Sequence, residues 1–201
     1  MHRRTLDIIF SVGAVLLAGL LLVLGLVLQN QANFAKDYVH NQLSAQKITF
    51  TPKAGLQPDE NAPCLADYAG KALTTGKQAE CYANNYIAVH LAAINDGKTY
   101  SETSGESRAL SDKAAAATKA GSADATDLTT QAKVLDGKTQ TLFRGETLRG
   151  LLLTSYGCSI FGERAQQAAW VCFAVAFVLF LAAIAGFVHA FTTSKEKTVN
   201  L

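Results

Sequence analysis

The stretch IIFSVGAVLLAGLLLVLGLVLQ, residues 8–29, carries no charge and a single hydroxyl before it reaches Gln29. Near the other end of the chain, AAWVCFAVAFVLFLAAIAGFVHAF, residues 168–191, has only His189 as a side chain able to carry charge near neutral pH. At 1.5 Å per helical residue, each is long enough to cross a hydrocarbon layer of about 30 Å. The chain therefore reads as a mainly α protein with transmembrane helices at 7–29 and 167–191. They flank a helical extracytoplasmic domain at 30–166, with a short cytoplasmic N-terminus at 1–6 and a cytoplasmic tail at 192–201.

A cleavable secretory signal has an apolar region of about 7 to 15 residues, so Met1-His2-Arg3-Arg4 and the longer run after it are expected to form an uncleaved anchor. Arg3 and Arg4 before the first span, and Lys195 and Lys197 after the second, place both ends in the cytoplasm by the positive-inside rule. Arg144, Arg149 and Arg164 precede the second span on the other side and reduce the charge contrast. The overall apolar fraction of 49% is concentrated in the two spans, and the region between them is mostly polar. A net charge of +2, with no basic patch interleaved with aromatics, argues against nucleic acid as a partner.

Cysteine usage agrees with export. Cys64 and Cys81 lie 17 positions apart in the region assigned to an oxidising compartment, and a disulfide between them is expected. Such a loop stabilises a small domain by roughly 3 kcal/mol in the chain-entropy picture. Zinc is a poor alternative, because there is no Cys-x-x-Cys pair and no His at ligand spacing. Cys158 and Cys172 read as small packing residues.

The exported region reads as helical. Phe34, Tyr38 and Leu43 extend the first helix to about Gln46, and Ile48 to Pro52 is briefly extended because the residue before proline avoids the helical region. Gly55 to Pro63 is a loop, and helix returns from Gly76 to Ile94, with Gly97 as its stop. The Ala-, Ser- and Lys-rich stretch Ser101 to Lys119 is separated by Gly121-Ser122-Ala123-Asp124 from a heptad-like stripe of Leu128, Ala132, Leu135 and Leu142. A projecting helical hairpin with its turn near Gly121 fits this pattern; a partly disordered loop would share its polarity. Leu151, Leu152, Leu153 and Tyr156 follow a charged run. They suit an interfacial wedge against a partner subunit, or else a cover for the core of the exported domain.

Within the spans, Ala182, Gly186 and Ala190 form a small-residue ridge, and Ala14 and Ala18 offer a matching surface. In lipid such ridges let backbones approach closely, either between the two spans or against another protein. Asp7 and His189 come to the same cytoplasmic boundary, where they could pair, titrate or simply reach water.

Enzymatic signatures are sparse. The chain has no Gly-x-Ser-x-Gly elbow, Walker loop or dinucleotide fingerprint, and no cysteine has the neighbouring His of a nucleophile. His40 and His90, with Asp37 or Asp96, are the only exported set from which a metal site could be assembled, and their spacing does not demand one. No catalytic residue, metal or cofactor is expected.

The blocks MHRRTLDIIFSVGAVLLAGLLLVLG at the start, LTTGKQAECYANNYIAVHL at 73–91 and FRGETLRGLLLTSYG at 143–157 resemble an actinobacterial family of two-span envelope membrane proteins of poorly defined function. Relatives can carry a ring-opening dioxygenase label, a chemistry served by two His and one carboxylate at a spacing this chain does not show. Actinobacterial respiratory supercomplexes are similar in using small membrane accessory subunits with exported helical parts. The small-residue ridge and the wedge at Leu151 to Leu153 point to a non-enzymatic accessory or scaffold subunit whose partners are the lipid bilayer and other integral membrane subunits. A cell-surface ligand-binding module, with an apolar pocket between Ile87–Ile94 and the segment after Phe143, is the alternative.

Overall fold

A computed structural model describes residues 3–58, 60 and 62–192. Lys195 and Lys197, used above for orientation, lie outside the described residues. The elements in chain order are α1 (Arg3–Ala45), a 3-10 turn (Lys53–Gly55), α2 (Pro63–Tyr68), α3 (Gly76–Cys81), a π-helical segment (Tyr82–Ile87), α4 (Ala88–Ala92), α5 (Tyr100–Ala120) and α6 (Ala125–Thr192). Among the described residues there is no strand, only an isolated antiparallel bridge between Thr49 and Ala72. The chain divides into two compact units, Met1–Tyr38 with Ile160–Leu201, and Val39–Ser159.

The first unit is an antiparallel helix pair. Its seam on α1 runs through Ser11, Ala18, Gly25 and Ala32, and on α6 through Gly162, Ala169, Ala176, Ala183 and Ala190, all buried and seven residues apart. A seven-residue repeat holds a seam on one side of a helix, and small side chains at it let the backbones close in. The closeness is visible at three glycines. A Cβ on Gly25 would lie 2.6 Å from Phe173 Cε1, one on Gly162 would lie 2.9 Å from Ala35 Cβ, and one on Gly186 would collide with Ser11 Oγ. Ser11 sends its hydroxyl back to the Asp7 carbonyl at 2.7 Å, so no hydroxyl on this stretch is left unbonded in the seam.

The ridge expected at Ala182, Gly186 and Ala190 is thus shifted. Ala183 is buried to 1%, while Ala182 is exposed. Steps of four drift about 40° per step around a helix turning 100° per residue, whereas alternating steps of three and four stay in line. Of the α1 residues proposed to match, Ala18 is buried and Ala14 half-buried.

The second unit has its own core, built from Val39, Leu43, Phe50, Leu65, Leu73, Ile87, Leu91, Leu142 and Leu152. Ile48–Phe50 pairs with 70–73 through Phe50 N–H to Lys71 O, Gly70 N–H to Phe50 O and Leu73 N–H to Ile48 O. The expected disulfide joins Cys64 in α2 to Cys81 at the end of α3, with Cα atoms 6.2 Å apart. α3 opens on a capping box in which Thr75 Oγ1 accepts from Gln78 N–H and Gln78 reaches back to the Thr75 N–H. Gly97, at φ +78°, follows α4 as its stop.

The hairpin is ordered. α5 begins on the Thr99–Glu102 capping box and ends at Gly121 in the left-handed region, where Ser122 N–H bonds Ala117 O in a Schellman closure. Thr103, Ser107 and Ala114 on α5, and Ala132, Thr139 and Leu142 on α6, are buried at spacings of four and seven and of seven and three residues, which keep each set on one face. At the base of the hairpin, Asn95 donates to Thr103 Oγ1 at 3.1 Å and accepts from Lys138 Nζ at 3.1 Å.

Candidate functional site

Two groups of side chains in the unit Val39–Ser159 merit a functional reading. The first is an aromatic ladder on the π-helical segment. Tyr82 and Tyr86 stack at 4.7 Å, Tyr86 and His90 meet at 4.4 Å, and Phe50 abuts Tyr82 edge-on at 5.3 Å. The i, i+4 spacing of Tyr82, Tyr86 and His90 puts all three on one side of the helix. The ladder ends on Glu60, whose side chain is 2% exposed. Glu60 Oε2 accepts from Gln57 N–H at 2.9 Å, and Oε1 lies 3.3 Å from His90 Nε2.

His90 Nδ1 lies 2.8 Å from the Tyr86 carbonyl, so both ring nitrogens face oxygen atoms. Burial, and after it the negative charge of Tyr86 and Glu60, pushes the Tyr82 phenol up to about 12. Asn85 bonds the Cys81 carbonyl at 3.2 Å, tying the same segment to the disulfide. The arrangement ties Glu60 to His90 on α4. Among the described residues, no three His, Cys, Asp or Glu side chains converge as a metal site.

The second group is the face of α6 from Phe143 to Tyr156. Successive helical residues point about 100° apart, so three consecutive leucines cannot face one way. Leu152 is buried in the core and Leu153 packs against it, whereas Leu151 is 62% exposed. Tyr156 is half-buried where the α3 start crosses α6; a Cβ on Gly76 would meet Tyr156 Cα at 3.3 Å. Phe143, 52% exposed, rests against Tyr100 at 5.6 Å. Arg149 bonds Glu146 at 3.2 Å and Asn84 at 3.4 Å. Cys158 packs at the core margin, and Cys172 is a half-buried free thiol.

Where Leu91 meets α6 the two pack closely: Leu91 Cδ2 fills the space a side chain at Gly145 would need. Open grooves lie instead along the hairpin, one of them bordered by Ala114, Lys119, Ala132 and Lys133.

In the first unit, Asp7 and His189 are paired, with His189 Nδ1 2.8 Å from Asp7 Oδ2. Arg4 lies 5.6 Å over the Phe191 ring. The sequence reading missed a second polar link. Gln29 donates its amide to Gln166 Oε1 at 2.8 Å, and Gln166 returns the bond to Gln29 Oε1. It also missed Glu60 and the π-helical segment; only the identity of Glu60 as an acid beside Pro58 was there to be noticed.

Both α1 and α6 are long and apolar enough to cross a membrane, and the disulfide fits an oxidising compartment. Comparison with protein-family models, with curated proteins and with solved structures gives no match to this chain.

Proposed function

We propose that the protein is a non-enzymatic accessory or scaffold subunit of a larger cell-envelope assembly, of which a respiratory complex is one candidate. Both termini are cytoplasmic, and the region 30–166 is extracytoplasmic. The observation that carries this reading is the surface of α6 in the exported unit. Phe143 and Leu151 stand out from it while their neighbours Leu142 and Leu152 are buried. Leu148, one helical turn from Leu151, is exposed as well, and apolar side chains exposed side by side mark an interaction surface more readily than a chemical one.

The heptad-spaced small residues of the spans, Ala18, Gly25, Ala169, Ala176 and Ala183 among them, are taken up in the seam between α1 and α6, and partner binding is assigned to the exported unit. Other integral membrane subunits, and no nucleic acid, are the partners this surface suits. A ligand-binding or sensory role called for a pocket beside Leu91, where Leu91 and Gly145 are packed together. A metal enzyme built on His40 and His90 has less support, since His90 is engaged with Glu60.

The test is photo-crosslinking in native membranes, from probes placed at Phe143 and Leu151 and, as a control, at Phe177, followed by mass spectrometry. A reproducible partner captured from 143 or 151 is the expected result. A monodisperse, partner-free protein after mild-detergent extraction, with no capture from either position, would overturn the proposal.

A further inference from the structure

The two polar links of the helix pair sit at its two ends, one at Asp7–His189 and one at Gln29–Gln166. They are separated by 22 residues on α1 and 23 on α6, a rise of about 33 Å on each, close to the thickness of a bilayer hydrocarbon core. Between them Ser11 is the only hydroxyl side chain, and it is buried and bonded to Asp7 O. The surface there is bulky and apolar: Phe10 is 73% exposed, Leu16 70%, Phe177 63% and Phe180 53%. Immediately outside the glutamine link come Asn30 and Gln31 on α1, and Arg164 and Glu163 on α6.

We infer that these two side-chain links are the stops of the hydrocarbon layer, and that the belt between them faces lipid rather than another subunit. The inference rests on the two-span reading above. A glutamine amide cannot be left unpaired in hydrocarbon, and the reciprocal pair satisfies one donor and one acceptor on each residue, while Gln29 also donates to Asn33 Oδ1 at 3.1 Å on the outer side. Asp7 and His189 do the same at the opposite end as a pair of opposite charge potential. The seam residues have no part in the outer surface, because their small side chains are consumed between the helices. What remains outside is a band of aliphatic and aromatic groups whose one exposed amide, Gln167, lies at its rim beside the glutamine link and bonds Arg164, and its height matches lipid. Phe177, eleven residues from Gln166 and twelve from His189, lies at the middle of this band.

The chain has one tryptophan, Trp170, four residues inside the glutamine link, so its own fluorescence reports depth. The full-length protein is reconstituted in phosphatidylcholine vesicles carrying bromine at shallow or deep acyl carbons. It is then compared with Phe177→Trp and Phe161→Trp, each made on Trp170→Phe. We expect Phe177→Trp to be quenched most by deep bromine, Trp170 most by shallow bromine, and Phe161→Trp by aqueous iodide. Adding Gln29→Leu with Gln166→Leu should move the Phe161→Trp signal from iodide towards shallow bromine.

Iodide access at all three positions would remove the two-span reading together with the inference. Deep quenching at Phe177→Trp with acyl-chain quenching at Phe161→Trp in the otherwise native chain would overturn the stops alone. So would a Phe161→Trp signal that the double leucine change leaves in place. A Phe177→Trp shielded from both iodide and bromine would show protein rather than lipid over the belt, and would overturn that assignment.

Discussion

Gly145 is where α6 lets Leu91 reach the core, and a side chain there would meet Leu91 Cδ2 inside a buried cluster. Overfilling a packed core typically costs about 1–3 kcal/mol, so Gly145→Val should lower the denaturation midpoint by that order, read by circular dichroism in urea. Leu91→Ala added to it should recover part of the loss; a midpoint unchanged by Gly145→Val would contradict the packing. Tyr82 yields a pH expectation. Its phenol is held at about 12 in the fold against about 10 in an unfolded chain. The folded form therefore keeps its proton where the unfolded form loses it. The resulting stability is complete below pH about 10 and is lost as pH rises through about 12. Absorbance titration near 295 nm should show one of the six tyrosines ionising late, and Tyr82→Phe should remove that late step. If all six ionised together near 10, the packing of Tyr82 against Phe50 and Tyr86 would be refuted. The sequence exposed the Cys64–Cys81 pair because export and the lack of a zinc pattern left a disulfide as the simplest reading. It hid Glu60, since an acid between two prolines reads as solvated, whereas its side chain is buried beside His90.

The phase of the seam belongs to the helices, not to any one side chain. Ala182 and Ala183 are neighbours of the same kind, yet one faces outward and the other is buried against α1. Ala183→Leu should weaken the helix pair by about 1–3 kcal/mol, while Ala182→Leu should be near neutral, both read as thermal unfolding in detergent. Equal effects would show that the seam is placed on the wrong side. The apolar length of the spans and the hairpin with its Gly121 turn were legible in the sequence, because a run of uncharged residues and a left-handed stop each have few structural solutions. The seam was legible only as composition: its period needs the partner helix to fix it. The π-helical segment was not legible at all, since YANNYI keeps an ordinary helical pattern and the extra residue per turn is imposed by packing. At the hairpin, Gly121 has φ +65°, so Gly121→Ala should destabilise α5–α6 by about 1 kcal/mol and speed amide exchange there.

The division of the chain makes a claim about the molecule entire. The unit Val39–Ser159 is continuous in sequence, carries the apolar cluster around Phe50 and Leu142, and contains both halves of the disulfide. The other unit draws its stability from a helix seam that supplies none of those core residues. A domain with its own core and cross-link should fold without the apolar spans, so residues 39–159 produced alone in an oxidising compartment should unfold cooperatively, with a single transition common to far- and near-ultraviolet circular dichroism. Reduction, or Cys64→Ser with Cys81→Ser, should then remove about 2–4 kcal/mol. The bridge closes a loop of 17 residues, and the unfolded chain regains the freedom that the bridge withheld. A loss well below 1 kcal/mol would mean that the unfolded chain keeps α2 and α3 together without it. A segment that stayed molten while oxidised would mean that α1 before Val39 and α6 after Ser159 supply order which the apolar cluster alone does not account for.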